Sequence, residues 1–569
     1  MFQSFRLSMT WVHTWFGLVL GYVLMVAFFF GSLSVFDREI DRWTIPETRF
    51  PAQPMPSFDA MLKPIFERLQ PEEEELEEAR ARVGGPLPDA KPVMNWSVYT
   101  THRDPVLELY AEFAITNNPK DPDDHVHGHA TIDPRSGRLL PNDPLKVGSE
   151  FFYPMHYSLH LEWMELGYWI VGFAALVMLA ALVSGVVMHR RIFRELFTFR
   201  PKKQEQRSVL DLHNLTGVVA LPFHFVFALS GLTIFAGVYL PVDETMLKPQ
   251  AQAHAMQEAK ARGLAFRPAG VPAPLASVDA MVAEAKRRWA ARGMPGEVGF
   301  LWVHHVGDAN SYVSIYRAGS DRVTLVGQAV HFAGPTGRVI FEEPPPTAVS
   351  GINDFLTGLH LQHFRHWLLR WFYVLGGLAG CACIATGFIF FVEKRKRQHA
   401  AQGVSGARWV DAMAVTTVTG MLIAALAILV ANRVLPAGLA HRGEWEKAAF
   451  WGAWLLAFAH ALWRTSPVRQ ARLAPAWAEQ CWAITTLGVA AVLLNWITTG
   501  DHLLRTIGNR YWPVAGVDLF ILASAALAAL AAAKLVRRGR EVPAAVASGE
   551  DSPTGDVEPA APQAARVAS

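Results

Sequence analysis

Residues 11–31, WVHTWFGLVLGYVLMVAFFFG, and residues 211–231, DLHNLTGVVALPFHFVFALSG, decide the fold. His13, Gly17 and Gly31 in the first stretch stand against His213, Gly217 and Gly231 in the second, at a constant offset of 200. The same offset relates His160 to His360, and Ser136-Gly137-Arg138-Leu139 to Thr336-Gly337-Arg338-Val339. The chain is therefore an internal duplication. A histidine inside a membrane helix is costly unless it has a partner, so a repeated one marks a functional group. Four of them, in two symmetry-related pairs, predict two sites of the same kind.

The 569 residues are 51% hydrophobic and include 19 tryptophans. That is too apolar for an ordinary soluble chain and points to a polytopic membrane protein, a class with no call for nucleic acid. Apolar stretches at 11–36, 163–188, 210–239, 367–392, 410–431, 448–463, 479–496 and 512–534 predict about eight transmembrane helices. The acidic segment 37–41 directly after the first one marks a retained helix rather than a removed leader. The expected organisation is helix 1 in 1–39, a polar domain in 40–155, helix 2 in 156–192 and a basic loop in 193–209. Helix 3 in 210–240, a second polar domain in 241–355, helix 4 in 356–397 and four further helices in 410–536 follow. The tail 541–569, rich in Ala, Pro, Ser and acids, reads as disordered.

Arg190, Arg191, Arg194, Arg200, Lys202, Lys203 and Arg207, together with the basic cluster 394–397, assign their loops to the cytoplasm. Both termini then fall inside and both polar domains outside. Cys381, Cys383 and Cys481 are the only cysteines, and no Cys-x-x-Cys-His is present. Covalent c-type haem attachment and a disulfide framework are excluded.

Each polar segment opens with a capped helix, Ser57-Phe58-Asp59-Ala60-Met61 and Ser277-Val278-Asp279-Ala280-Met281, before alternating runs that predict strands. Two small α+β units are expected, each with one helix on an antiparallel sheet. His13-x-x-x-Gly17, Leu159-His160, Asp211-Leu212-His213-x-x-x-Gly217, Leu359-His360 with Thr386-Gly387, and the turns Asp133-Pro-Arg-Ser-Gly137 and Gly334-Pro-Thr-Gly337 follow in this order. In this the chain resembles, over about residues 5–397, the PepSY-associated transmembrane proteins, also called iron-regulated membrane proteins. The resemblance implies two PepSY-like periplasmic domains on an inner-membrane protein, and some members look like dihaem reductases of ferric siderophores.

Eighteen residues make five whole helical turns, so Gly31 shares a face with His13 and Gly231 with His213. A glycine-lined face leaves a flat slot beside an imidazole, as a porphyrin needs; close helix packing is the plainer use of such glycines. His13 and His213 are thus expected to hold one haem b at the inner face. Register and resemblance assign a second to His160 and His360 at the outer face. Bis-histidine ligation leaves iron no open position and favours electron transfer.

His224, on nearly the same face as His213 and further out, competes as an outer ligand. His156, His363 and His366 fit an aromatic interfacial belt with Trp163, Trp367 and Trp371, and Arg365 and Arg370 could face outer propionates. His125, His127 and His129 alternate after Asp121, Asp123 and Asp124 and would share one side of a strand, a weak candidate for a transition metal. No flavin, nicotinamide or nucleotide loop is found, so electrons should come from a quinol or a cytoplasmic reductase. The leading expectation is an electron-transfer protein reducing ferric siderophore iron outside. A membrane anchor whose PepSY-like domains bind or regulate a periplasmic peptidase, and a transporter built on repeats, are the alternatives.

Overall fold

The computed structural model describes residues 5–85, 87, 93–100, 104–116, 124–141, 144–188, 205–240, 247–325, 327–401, 407–465 and 475–547. Arg190, Arg191, Arg194, Arg200, Lys202 and Lys203 of the basic loop, Asp121, Asp123 and residues 548–569 lie outside them.

The strands are β1 Val93–Tyr99, β2 Leu107–Ala114, β3 His125–Ile132, β4 Leu139–Leu140, β5 Val298–His304, β6 Tyr312–Arg317, β7 Ala329–Ala333 and β8 Val339–Glu342. They form one antiparallel sheet in the order β4-β3-β2-β1-β5-β6-β7-β8. Each polar segment taken alone would leave its first strand as an open edge, which invites pairing. Here β1 and β5 pair with each other, Trp96 against Val303 and Val98 against Leu301, so the two expected units are a single eight-stranded body. Alternation does the rest: Leu107, Leu109, Ala111 and Phe113 of β2 and Val313 and Ile315 of β6 feed one shared core.

The two serine-capped helices meet over this sheet. Ser57 caps its own helix by accepting from the Ala60 amide, and Ser277 does the same for Ala280. Across the junction Ser57 Oγ donates to Asp279 Oδ2 at 2.5 Å and Ser277 Oγ donates to Asp59 Oδ2 at 2.7 Å. The Phe58 and Asp59 amides also donate to Asp279, and those of Val278 and Asp279 to Asp59. Each repeat thus supplies the carboxylate that satisfies the first amides of the other's helix.

Helices are labelled α1 Phe5–Ser34, α2 Asp37–Thr44, α3 Glu73–Val83, α4 Tyr153–Tyr157, α5 Leu166–Met188, α6 Glu205–Val219, α7 Leu221–Ile234 and α8 Val278–Ala291. Then come α9 Ala348–Leu361, α10 Trp367–Ala401, α11 Ala407–Val415, α12 Met421–Val434, α13 Arg442–Arg464, α14 Ala476–Thr499 and α15 Trp512–Ala547. Among the described residues six helices are long and apolar enough to cross a membrane, or seven if the bent pair α6–α7 counts as one. The pair bends by 60° at Ala220. Pro222 supplies no N–H there, and its ring opposes a continuous helix. Tyr22 stands at the matching place in α1, which runs unbroken for 30 residues.

Helix α13 is less apolar than the other expected spans, yet it runs antiparallel beside α11–α12. Arg442, at its start, donates to the Asn432 carbonyl near the end of α12, and Leu462, near its end, accepts from Arg408 at the start of α11. Helix α15 continues to Ala547, so the first residues of the segment expected to be disordered are helical. The four added helices lean on α1 and α2 through an apolar core and a polar seam. Trp43 Nε1 donates to Asp518 at 2.7 Å, and Arg49 bridges Asn495, Thr499 and Asp501.

Candidate functional site

The duplication brings α1 against α5 and α6 against α10, and both contacts are built on a histidine. His13 Nδ1 lies 3.0 Å from the Ala181 carbonyl on α5, and His213 Nδ1 lies 2.8 Å from the Cys383 carbonyl on α10. A carbonyl can only accept, so each Nδ1 carries the hydrogen and each Nε2 keeps its lone pair. Ser184 and Thr386 brace the same two carbonyls, and Gly185 and Gly387 face the two rings, so the surroundings are duplicated as well. The His13 and His213 ring centroids stand 6.1 Å apart at 84°. An iron between two facing imidazole nitrogens needs a centroid separation of roughly 6 Å, given metal–nitrogen bonds of about 2 Å.

The outer pair differs from the expected one. His360 sits near the end of α9, and the ring beside it, 6.0 Å away, is His156 of α4. His160 is instead in a left-handed turn with Leu159, both at φ 53°. Its Nε2 is tied to the Phe151 carbonyl at 2.8 Å and its ring is stacked on Phe151. The turn closes α4 before α5 begins, and Gly167 lets the first turn of α5 pass against the Ser158 carbonyl, where a β-carbon would collide. His156, read from sequence as part of an aromatic belt, therefore occupies the place expected for His160.

His156 Nδ1 donates to the Ala27 carbonyl at 2.8 Å. His360 Nδ1 is 2.9 Å from Ser230 Oγ, whose own hydrogen goes to the Val226 carbonyl, so the imidazole again donates. Among the described residues all four imidazoles hold Nδ1 this way and keep Nε2 free, as metal-binding histidines typically do. Gly31 and Gly231 have a different task from the one their spacing suggests. A β-carbon on Gly31 would sit 2.7 Å from His156 Nδ1, and one on Gly231 would sit 3.1 Å from His360 Cε1. They admit the outer histidines rather than line a slot beside the inner ones. Gly31 is eighteen residues beyond His13, so the two pairs are separated by about 27 Å along α1.

The outer pair opens into a cavity of about 890 Å³ that reaches the underside of the sheet. Gly31, Gly231, His156 and His360 line its floor, and Arg38, Asp104, Glu108 and Lys146 its mouth. Seven of the chain's 11 tyrosines border it: Tyr99, Tyr110, Tyr153, Tyr157, Tyr168, Tyr239 and Tyr373. Its size is that of a pocket for a large planar ligand. At the mouth, burial pushes the Glu108 carboxyl up, but the hydrogen bond from His129 and the Lys146 ammonium outweigh it and hold the group at about 2. A haem fits this floor on three counts: the centroid spacing, the two free Nε2 atoms and the glycine clefts.

The remaining candidates are placed otherwise. His224 is buried between the two pairs, its Nε2 3.2 Å from the Gly376 carbonyl and its ring edge-on to Phe28, and it does not line the outer cavity. His125, His127 and His129 do share one face of β3, but His127 pairs with Glu75 and His129 with Glu108. Among the described residues no group of three or more His, Cys, Asp or Glu is gathered to hold a metal ion. Arg370 is committed to Glu39 and the Val35 carbonyl, and Arg365 to Ser320; Arg38 and Lys146 are the cations at the cavity.

A helical membrane core with a duplicated extramembrane sheet and paired, pre-oriented histidines defines a duplicated polytopic membrane protein. The family model for the PepSY-associated TM region matches residues 10–394, and the chain belongs to this family. Among curated proteins no sequence matches it. The family match ends at the close of α10, so α11–α15 lie beyond it.

Proposed function

We propose that this chain is a dihaem b electron-transfer protein of the bacterial inner membrane, with His13 and His213 holding the inner haem and His156 and His360 the outer one. The observation that carries this reading is the common state of the four imidazoles: Nδ1 anchored, Nε2 free, centroids 6.1 and 6.0 Å apart in the two pairs. When bound, haem supplies one-electron redox chemistry without an open coordination site. The protein's part is to fix ring orientation through Ala181, Cys383, Ala27 and Ser230, and to keep the cavity above the outer pair reachable from the sheet side.

We read eight passes with both termini cytoplasmic, a reading supported by the basic loops and by the antiparallel course of α13 beside α11–α12. Electrons from a quinol or a cytoplasmic reductase would move outward, which a membrane potential negative inside favours by about 2.3 kcal/mol per 100 mV. The acceptor we assign is ferric iron in a chelate of the siderophore class, docked beneath the sheet. Proteoliposomes with reductant trapped inside test this: an external ferric siderophore should reoxidise both haems and yield ferrous iron outside. Haems that stay reduced with every ferric chelate offered would reject iron as the acceptor.

A further inference from the structure

Asp41 is a carboxylate buried behind Ser149 in the wall of the outer cavity, with one of its two oxygens left out of the backbone hydrogen bonds. Its Oδ1 accepts from the Gly148 amide at 2.7 Å and from the Ser149 amide at 3.2 Å. A β-carbon at Gly148 would collide with the Asp37 carbonyl, so glycine is what lets the Val147–Phe152 turn press against α2. Asp41 is 7% exposed, and its Oδ2 has no partner among the described residues. The Ser149 hydroxyl is buried beside Asp41 without a hydrogen bond of normal geometry, and Ser149 lines the cavity with Asp37, Arg38 and Glu150. An isolated ionised oxygen in such a place is costly, whereas a protonated one can donate to a hydroxyl.

The surrounding charges do not neutralise it. Arg38 is shared with Asp37 at 3.5 Å and Asp104 at 3.3 Å, and Lys146 with Glu108 at 2.7 Å and Glu150 at 3.6 Å. From the added helices, Asp518 is taken by Trp43, Arg433 of α12 is turned to the Thr44 carbonyl, and Tyr511 lies by Arg42. Burial pushes the Asp41 carboxyl up, Arg38 draws it part of the way back, Asp37 raises it again and the neighbouring Ser149 side chain lowers it, leaving it at about 7.

We propose that Asp41 holds a proton for the outer cavity and passes it through the Ser149 hydroxyl to the acceptor as the acceptor is reduced. This rests on the reading that electrons leave at the outer pair. For an oxygen-donor ferric chelate the step balances. One electron converts iron(III) to iron(II), an iron–oxygen bond breaks, and the freed oxygen takes the proton that Ser149 relays. Asp41 is left as a carboxylate and is reprotonated from the outer aqueous side. Asp41 touches no acceptor, so its role is to hold and position the proton.

The test uses the full haem-loaded chain, reduced and then mixed with either a ferric trihydroxamate or ferricyanide, which accepts an electron and needs no proton. In the wild type the trihydroxamate rate should fall as pH rises through about 7. Asp41→Asn should slow it by about tenfold or more at low pH and flatten the profile, with the ferricyanide rate unchanged. Ser149→Ala should give the same kinetics and carries the test if Asp41→Asn does not fold. Independently, infrared titration should show a carboxylic C=O band that is lost in Asp41→Asn and kept in Ser149→Ala, whether or not haem is bound. A wild-type rate and pH profile in both variants, or no such band, overturns the proposal. A wild-type chain that passes electrons to no ferric chelate defeats the functional reading instead, and the infrared band still reports on Asp41.

Discussion

His13 and His213 each lie in a helix interior, whereas His156 and His360 each lie in the last turn of a helix at the sheet side, and the two settings preserve register differently. Inside a long helix a one-residue insertion turns every later side chain by about 100°. The inner pair accordingly keeps the offset of 200. The outer pair stands before left-handed breaks, at Leu159–His160 in one repeat and Gln362 in the other, and its offset is 204. Four residues are about one helical turn, so the slide keeps the imidazole on nearly the same face. In this duplication helix interiors conserve position, whereas last turns conserve direction.

The sharpest way to break this comparison is to remove one histidine at a time. His156→Ala should eliminate the outer haem, about half of the total, and leave the inner haem's spectrum unchanged, while His160→Ala should leave both; a pyridine haemochrome assay with difference spectra reads the result. The opposite outcome would restore the constant offset and displace His156. His13→Ala or His213→Ala should remove the other half.

A smaller effect separates the glycines. Gly31→Ala forces a β-carbon to within 2.7 Å of His156 Nδ1, so about 1–3 kcal/mol of overpacking should fall on the outer site and show as weakened haem retention in competition with an apo-globin. Gly185→Ala meets His13 at only 3.4 Å and should leave the inner site nearly unaffected. Equal losses at both sites would contradict the division of labour between them.

Smaller again is His224→Leu, which gives the second repeat the residue of the first. Both haems should remain, with a stability loss of about 1 kcal/mol for the hydrogen bond to Gly376, measured by thermal melts followed at the haem bands. Loss of the outer haem would make His224 a ligand. The least effect is expected at the clasp. Burial opposes ionisation of Asp59, but hydrogen bonds from Ser277, Val278 and Asp279 hold its carboxyl below the usual range. A lowered carboxyl stabilises the fold above its unfolded value and loses that contribution as pH falls through the folded one. Asp59→Asn should therefore cost less as acid melts proceed to lower pH, and a cost that grows on acidification would contradict the clasp.

Much of the architecture was legible because periodicity and charge are local properties. The apolar runs, the two capped helices and the inner histidines needed no long-range information. Fusion of the two sheets did not announce itself, since Trp96 and Val98 look the same whether β1 is an edge or pairs with β5. That His156 and not His160 stands beside His360 was illegible for a specific reason: Leu159-His160 matches Leu359-His360 letter for letter, while the left-handed turn at His160 leaves no mark in non-glycine residues. The only signal for His156 was its place in Tyr153–Tyr157, one turn before that break, and the neighbouring aromatics masked it. Helix α13 is less apolar than the other expected spans because Glu444, Glu446 and Lys447 stand in its first turns.

The central claim is that each histidine pair holds one haem, and haem quantitation with low-temperature electron paramagnetic resonance on the purified wild-type chain tests it most directly. The account predicts two non-covalent haem b groups per chain, both low-spin with two imidazole ligands. Protein expressed with ample haem that contains none, or that shows one high-spin haem, would contradict it.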